Sequence, residues 1–222
     1  MPQIAKRYDF VTHAQPVESS RVRGIHRRQT ALTPLCQATI MRPMELYLVR
    51  HCHATGQQPD SPLTPSGEAQ AKRLADALIG RGVRRIVASP FLRARQSVAP
   101  LAERLGIPVE IDDRLAERVL CGTPRDDWTA QLRQSFDDLD LCLEGGESSR
   151  AAMARGGAAL HEASSGDGPV VVVTHGNLLA LLLRHLDGAS GFAAWQALTN
   201  PDVFLVTQAD GASVVERIWA DG

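Results

Sequence analysis

Short runs of β-forming residues alternate with segments of helical periodicity, and this alternation constrains the fold more than any other feature of the chain. The runs are Glu45–Val49, Arg85–Ala88, Pro108–Ile111 and the most apolar of them, Val170–Val173. Runs of this length, rich in valine, isoleucine and leucine, are typical of buried strands. The order strand, helix, strand, helix, strand predicts an α/β fold with a mainly parallel central sheet and helices on both faces.

Two predicted helix starts share one local pattern, a hydroxyl residue followed by proline. Thr64 precedes Pro65, and Ser89 precedes Pro90. A hydroxyl residue followed by proline is typical of a helix N-terminus, because the hydroxyl accepts from a free backbone N–H and proline needs no partner there. We therefore predict a first helix that ends near Gly80 and Gly82, and a second over residues 92–105.

The remainder of the chain is less regular. Residues 112–146 form an irregular excursion, with a predicted helix over Trp128–Leu139, and such excursions are usually lids or binding loops. Further helices are predicted from Glu147 to Ala163, over Leu178–Leu186 and around Phe192–Leu198. The alternating segments Val203–Thr207 and Val214–Trp219 predict an antiparallel hairpin at one edge of the sheet.

Charge divides the chain at about residue 43. Residues 1–43 carry seven Lys/Arg and two Asp/Glu, whereas residues 44–222 have a net charge of −6. The first segment has no sustained period, and we predict a basic leader followed by one domain over 44–222. A transit peptide or a nucleic-acid-binding arm fits the leader's composition. We favour a disordered or spurious leader, with translation starting at Met41 or Met44.

The composition also restricts partners and compartment. The acidic main body predicts no general nucleic-acid surface, and no apolar run is long enough to cross a membrane. The sequence makes no prediction about the oligomeric state. The four cysteines are widely separated, which predicts free thiols and a reducing, cytoplasmic location; they are Cys36, Cys52, Cys121 and Cys142. Cys52 adjoins the candidate site, and we interpret it as a space-filling residue.

Cations and imidazoles follow three of the predicted strands: Arg50 with His51, Arg93 after Ser89, and His175 with Gly176. Ligands of open α/β sheets bind at the carboxyl ends of the strands, so we expect these side chains to lie together. Arginine matches phosphate oxygens with paired donors, and neutral imidazole is a nucleophile near neutral pH. With Glu117 in the following loop, the set predicts phosphoryl chemistry.

These motifs resemble those of the histidine phosphatase superfamily, which has the phosphoglycerate-mutase-like fold. Arg50-His51-Cys52 is similar to the family's Arg-His-Gly signature, with cysteine in place of glycine. The resemblance covers roughly residues 45–219 and rests on five ordered motifs. The other four are Asp60-Ser61-Pro62-Leu63-Thr64-Pro65 continued by Gly67 and Gln70-Ala71, Ser89-Pro90-Phe91-Leu92-Arg93-Ala94-Arg95-Gln96-Ser97, Leu115-Ala116-Glu117 with Gly145-Gly146-Glu147-Ser148, and Thr174-His175-Gly176.

The resemblance implies a role for each matching residue. His51 is the expected nucleophile, and Arg50, Arg93 and His175 are expected to bind phosphate, with His175 also catalytic. Glu117 is the expected proton donor to the leaving group. The sequence departs from the family pattern beside this set, where Ala54 replaces a hydroxyl residue and Gln57 stands where an asparagine contacts phosphate. We expect Gln57 to take that contact, and we expect no metal and no cofactor.

The leading hypothesis is a metal-independent phosphomonoester hydrolase that acts on a small phosphorylated metabolite through a phosphohistidine. A phosphoglycerate-type mutase is the first alternative, but it needs more cover over the phosphohistidine than residues 112–146 provide. A non-catalytic phospho-ligand-binding module is the second, and it predicts a missing nucleophile or acid. A metal site at Cys52 and His53 is disfavoured, because neighbouring side chains on an extended segment diverge. Arg118 and Arg125 have two readings, a second anion site or surface salt bridges.

Overall fold

The computed structural model describes residues 45–209 and 212–219, and this part of the chain contains one six-stranded sheet. The strands are β1 (Glu45–Arg50), β2 (Arg85–Ala88), β3 (Val109–Ile111), β4 (Val170–Thr174), β5 (Asp202–Ala209) and β6 (Ala212–Arg217). Their order across the sheet is β3-β2-β4-β1-β5-β6. The predicted leader lies outside the described residues.

The strand directions confirm the predicted fold class. β1 pairs with β4, β4 with β2 and β2 with β3 in parallel, while β5 pairs antiparallel with β1 and β6 antiparallel with β5. The parallel strands β1, β2 and β4 therefore end at one edge of the sheet. The antiparallel hairpin β5–β6 closes one side, as its alternating residues predicted.

Helices cover both faces of the sheet. They are α1 (Pro65–Leu78), α2 (Leu92–Leu105), α3 (Trp128–Asp137), α4 (Ser149–Ala163), α5 (Gly176–Asp187) and α6 (Phe192–Gln196). Along β1, Tyr47 and Val49 pack into a core shared with α1 and α2, whereas Leu46 and Leu48 pack into a second core shared with α4 and α5. This follows from the alternation of side chains along a strand.

Of the two predicted helix caps, one is confirmed and one is wrong. Thr64 caps α1, and its hydroxyl accepts from the Gly67 N–H at 3.0 Å. Ser89 does not cap α2, which begins at Leu92 after Phe91, without a side-chain cap from the described residues. Ser89 lies too far before the first helical residue for its hydroxyl to reach the free N–H groups. Its hydroxyl instead lies 2.6 Å from His175 Nε2.

The excursion after β3 turns back on itself at two glycines. The Gly122 N–H donates to the Glu144 carbonyl at 2.9 Å, and Gly145 adopts a φ of 68°. A Cβ on Gly145 would lie 2.9 Å from the Gly122 Cα, so both the backbone angle and the close approach require glycine there. This crossing holds the segment that carries Glu117 against the start of α4.

Among the described residues, no helix is long and apolar enough to cross a membrane.

Candidate active site

The structure brings together three side chains, each of which follows a parallel strand: His51 after β1, Arg93 after β2 and His175 after β4. Arg93 Nε lies 3.2 Å from His51 Nε2, and the rings of His51 and His175 have their centroids 5.0 Å apart. All three are buried, with exposed fractions of 7% for His51, 1% for Arg93 and 0% for His175. The prediction that they converge at the carboxyl edge of the sheet is confirmed.

The hydrogen bonds of His51 determine which ring nitrogen carries the proton. Nδ1 lies 2.7 Å from the Cys52 carbonyl oxygen, which can only accept, so Nδ1 carries the hydrogen. Arg93 Nε can only donate, so His51 Nε2 accepts from it with a lone pair. The ring is therefore a neutral imidazole whose Nε2 lone pair faces a cation, which is the arrangement required of a nucleophile that attacks an anion.

Burial keeps both imidazoles neutral. It lowers the pKa of His51 to about 3 against an opposing bond to the Cys52 carbonyl, and the charges of Arg93 and Arg50 lower that pKa further. Burial also lowers the pKa of His175 well below its ordinary value, with additional repulsion from His51 and Arg93. His51 can therefore meet an anion with no proton on Nε2, and His175 is a neutral ring beside it.

We expect the His51 ring to show no titration between about pH 5 and 8, because its pKa lies below that interval. An unfolded chain binds a proton to histidine near pH 6.5. The folded state binds it less readily, so this site contributes stability above pH 6.5 that is lost as the pH falls towards about 3. ¹⁵N-edited NMR of the imidazole, assigned with the His51→Ala variant, measures the titration. A midpoint near 6.5 contradicts this account of the site.

The guanidinium groups of Arg50 and Arg93 are each anchored to backbone carbonyls by a single nitrogen. Arg50 Nη1 donates to the carbonyls of Leu198 and Thr199 at 3.1 and 3.3 Å, and Arg93 Nη1 donates to those of residues 57 and 58 at 3.1 and 2.8 Å. Arg50 Nε is buried without a hydrogen-bond partner among the described residues. The anchoring therefore orients both cations and leaves a donor of Arg50 for a ligand.

Gly176 leaves the space that Arg50 occupies. A Cβ on Gly176 would lie 3.1 Å from Cζ, Nε and Nη2 of the Arg50 guanidinium. Such contacts are tighter than ordinary van der Waals distances, so a larger residue would displace the cation. The glycine after His175 thus keeps Arg50 close to the start of α5.

His175 has one bound and one free ring nitrogen. Its Nε2 lies 2.6 Å from the Ser89 hydroxyl, and its ring packs edge-on against Phe91 at 4.8 Å between centroids. Nδ1 is buried and finds no partner within the described chain. Buried polar atoms are rarely left unpaired, so a free atom at such a site indicates that a ligand supplies the missing group.

Glu117 is held at the N-terminus of α5. Its Oε1 accepts from the N–H groups of Arg118 and Leu178 at 2.9 Å each, and Oε2 accepts from that of Asn177 at 3.0 Å. The first N–H groups of a helix have no partners within it, and the carboxyl oxygens of another segment satisfy them here. The loop before α3 is therefore tied to the same helix start that follows His175.

Four of these residues border a cleft of about 180 Å³, namely Arg50, His51, Glu117 and Gly176. Gln57 lines it too, but the contact that the structure shows is made by its backbone carbonyl, which anchors Arg93. The lining also contains four residues that were not among the site residues predicted from the sequence: His53, Ala54, Gly56 and Asn200. Asn200 Nδ2 donates to the His51 carbonyl at 2.7 Å, a contact across 149 residues that no local pattern indicates.

Residues with open interpretations now have defined contacts. Arg125 forms a surface salt bridge with Asp127 at 2.7 Å, the second of its two readings. Arg118 is buried and has neither predicted role, because it donates to the Glu147 carbonyl and the Ser135 hydroxyl at 2.8 Å each. Cys52 is fully buried, and burial raises the pKa of its thiol to about 11, which supports a space-filling role.

The remaining thiols and potential metal ligands complete the description. Cys52, Cys121 and Cys142 are free thiols, as predicted, while Cys36 lies outside the described residues. Over residues 45–209 and 212–219, no three His, Cys, Asp or Glu side chains are grouped so as to hold a metal ion.

Comparison with known proteins identifies relatives of this chain in both sequence and structure. A glucosyl-3-phosphoglycerate phosphatase of Mycolicibacterium vanbaalenii is 30% identical over 209 residues, which cover 77% of this chain and 88% of that protein. A probable phosphoglycerate mutase of Yersinia enterocolitica is 33% identical over 163 residues, covering 65% and 75%. The native structure of a mycobacterial glucosyl-3-phosphoglycerate phosphatase superposes with a TM-score of 0.66 at 27% identity, over 79% of this chain and 98% of that one.

The family model agrees with the geometry. The model of the histidine phosphatase superfamily, branch 1, matches residues 46–220, which is most of the chain and includes every side chain of the site. Fold, relatives and family model therefore lead to one conclusion. The chain belongs to branch 1 of the histidine phosphatase superfamily.

Proposed function

We propose that this protein is a metal-independent phosphomonoester hydrolase that acts on a small phosphorylated metabolite through a phosphohistidine at His51. The observation that carries the proposal is the neutral His51 ring, whose Nε2 lone pair lies 3.2 Å from Arg93 Nε. The phosphatase relative, similar over most of both chains, supports hydrolysis.

In the first step, His51 Nε2 attacks phosphorus while the bond from phosphorus to the ester oxygen breaks. Glu117 gives its proton to that oxygen, so the product leaves as a neutral alcohol and the glutamate becomes a carboxylate. The attacking nitrogen needs no deprotonation, because its hydrogen is on Nδ1 beside the Cys52 carbonyl. The acceptor is therefore ready before the substrate binds.

The non-bridging oxygens take the donors that have no protein partner. We assign Arg50 Nε and His175 Nδ1 to two of these oxygens, since both atoms are buried and unpaired among the described residues. With the Ser89 hydroxyl donating to Nε2 of His175, Nδ1 carries the hydrogen that such a bond needs. Arg93 exchanges its bond to His51 for one to the phosphoryl group. These fixed donors stabilise the charge that develops in the transition state.

In the second step, water attacks the phosphohistidine. The Glu117 carboxylate takes a proton from the water, a new bond forms between oxygen and phosphorus, and the bond to His51 Nε2 breaks. Phosphate leaves, the ring is neutral again and Glu117 is protonated, so every group returns to its initial state.

The cytoplasmic location and the absence of a nucleic-acid partner stay predictions.

A phosphomutase is the second candidate, and its support is the similarity to the probable phosphoglycerate mutase. The two functions differ in the fate of the phosphoryl group. We expect incubation with sugar phosphates and phosphoglycerates, in the presence of EDTA, to release inorganic phosphate in proportion to the alcohol formed. Isomerised phosphoglycerate without phosphate release supports the mutase instead. Loss of activity on adding EDTA contradicts the metal-independent route.

A further inference from the structure

A pair of amide side chains outside the phosphate site joins the nucleophile to a distant loop. We propose that Gln70 is a positioning residue, which acts with Asn200 to hold the nucleophile loop, residues 51–53, in the orientation that catalysis needs. The inference rests on the proposed function of His51. It assigns a role to a residue of α1 that does not line the cleft.

Gln70 makes one hydrogen bond on each side. Its Oε1 accepts from the His53 N–H at 2.8 Å, and its Nε2 donates to the Asn200 carbonyl at 2.6 Å. Asn200 Nδ2 in turn donates to the His51 carbonyl at 2.7 Å. The three bonds form a closed circuit through His53, Gln70, Asn200 and His51, so both ends of the nucleophile loop are fixed by the same two amides.

The residue between these ends controls the His51 tautomer. The Cys52 carbonyl accepts from His51 Nδ1 at 2.7 Å, and this bond keeps the hydrogen away from the attacking Nε2. The Cys52 carbonyl and the His53 N–H belong to one peptide group, and Gln70 holds that group through the N–H. Without Gln70 the peptide loses this bond, and a carbonyl turned away from Nδ1 lets the hydrogen move to Nε2, where it blocks the attack.

The same circuit also connects the nucleophile to Arg50, one of the two arginines proposed to bind phosphate. The carbonyls of Leu198 and Thr199 anchor Arg50 Nη1, and Asn200 is the next residue along the chain. Gln70 therefore sets the distance between His51 and the segment that orients Arg50. The Cys52 N–H is held separately by the Ser97 hydroxyl at 2.8 Å, so loss of Gln70 leaves the loop attached to α2.

The first test is Gln70→Ala, a substitution that a helix tolerates well. We expect kcat to fall by roughly 10–100-fold, since small displacements of a reacting group cost about that much. We expect inhibition by inorganic phosphate to change by less than about three-fold, because Arg93 and His175 stay in place. If Gln70 and Asn200 act as a unit, the double variant with Asn200→Ala is about as slow as the slower single variant.

A spectroscopic readout separates positioning from a loss of stability. In the wild type, ¹⁵N NMR should show His51 Nε2 unprotonated, and in Gln70→Ala a mixture of the two tautomers. The matched control is Val83→Ala, which removes two buried methyl groups just before β2, at the edge of the sheet opposite the cleft. It should lower the thermal unfolding temperature comparably while leaving kcat and the tautomer unchanged.

Each outcome decides between the possibilities. A wild-type kcat in Gln70→Ala, an unchanged tautomer or additive losses in the double variant overturns the positioning role. A similar fall in kcat for Val83→Ala assigns the effect to general stability and overturns it too. If the wild type itself releases no phosphate from any ester, the proposed function fails, and that result is distinct from an active wild type with an unaffected Gln70→Ala variant.

Discussion

Replacing His51 with alanine is expected to lower kcat for every phosphomonoester by roughly 10⁴–10⁶-fold, the range seen when an enzyme loses its nucleophile. Two other imidazoles lie near His51 in the described part of the chain. His175 has its Nε2 bound to Ser89 and its Nδ1 assigned to a phosphate oxygen, and His53 Nδ1 lies 3.0 Å from the Thr64 hydroxyl. The loss should be equally large for alkyl and aryl phosphates, because phosphoryl transfer to His51 precedes every later step. Steady-state phosphate release measures it.

His161→Ala is the matched control for this variant. His161 is an exposed histidine of α4 and belongs to neither the cleft nor its supports. Its removal should leave kcat within about two-fold, as surface substitutions usually do. Substantial hydrolysis by His51→Ala, with a normal thermal unfolding temperature, contradicts the assignment of the nucleophile.

Replacing Glu117 with glutamine should separate substrates by their leaving groups. An alkoxide leaves poorly without a proton, whereas p-nitrophenolate leaves unaided. Loss of a general acid costs about 10²–10⁴-fold, so we expect that loss in kcat/KM for alkyl phosphates and a much smaller one for p-nitrophenyl phosphate. The comparison of the two substrates in one variant is the measurement.

The activity on p-nitrophenyl phosphate also reports that the variant is folded. This matters because both Glu117 oxygens accept backbone N–H bonds at the start of α5, and an amide nitrogen cannot accept. A second variant, Glu117→Asp, keeps two acceptor oxygens but withdraws them by one methylene. Equal losses for both substrates in both variants place the acid elsewhere in residues 112–146.

Much of this site could be predicted from the sequence, because parallel strands end at one edge. Arg50 with His51 after β1 and His175 after β4 must come together once the two strands pair. Arg93 follows because α2 begins beside the end of β2. The type and order of the helices and strands were predictable for a different reason, because periodicity is a local property of the sequence.

The supports of the site were not predictable, because they join residues far apart in the chain. Asn200 reaches His51 across 149 residues, and Gln70 reaches Asn200 across 130. Ser89 shows the same limit, since its local sequence favours a helix cap while its hydroxyl contacts His175, 86 residues away. The tautomer of His51 likewise depends on the direction of one carbonyl, which no residue pattern specifies.

The central claim is that His51 Nε2 accepts the phosphoryl group, and trapping that intermediate tests it most directly. Wild-type enzyme mixed with a ³²P-labelled phosphomonoester is denatured rapidly in alkali, digested and analysed by mass spectrometry. The account predicts one labelled peptide that contains His51, with the label on Nε2, stable in alkali and released by acid. A label on any other residue, or turnover with no covalent label under conditions that trap a phosphohistidine, contradicts it.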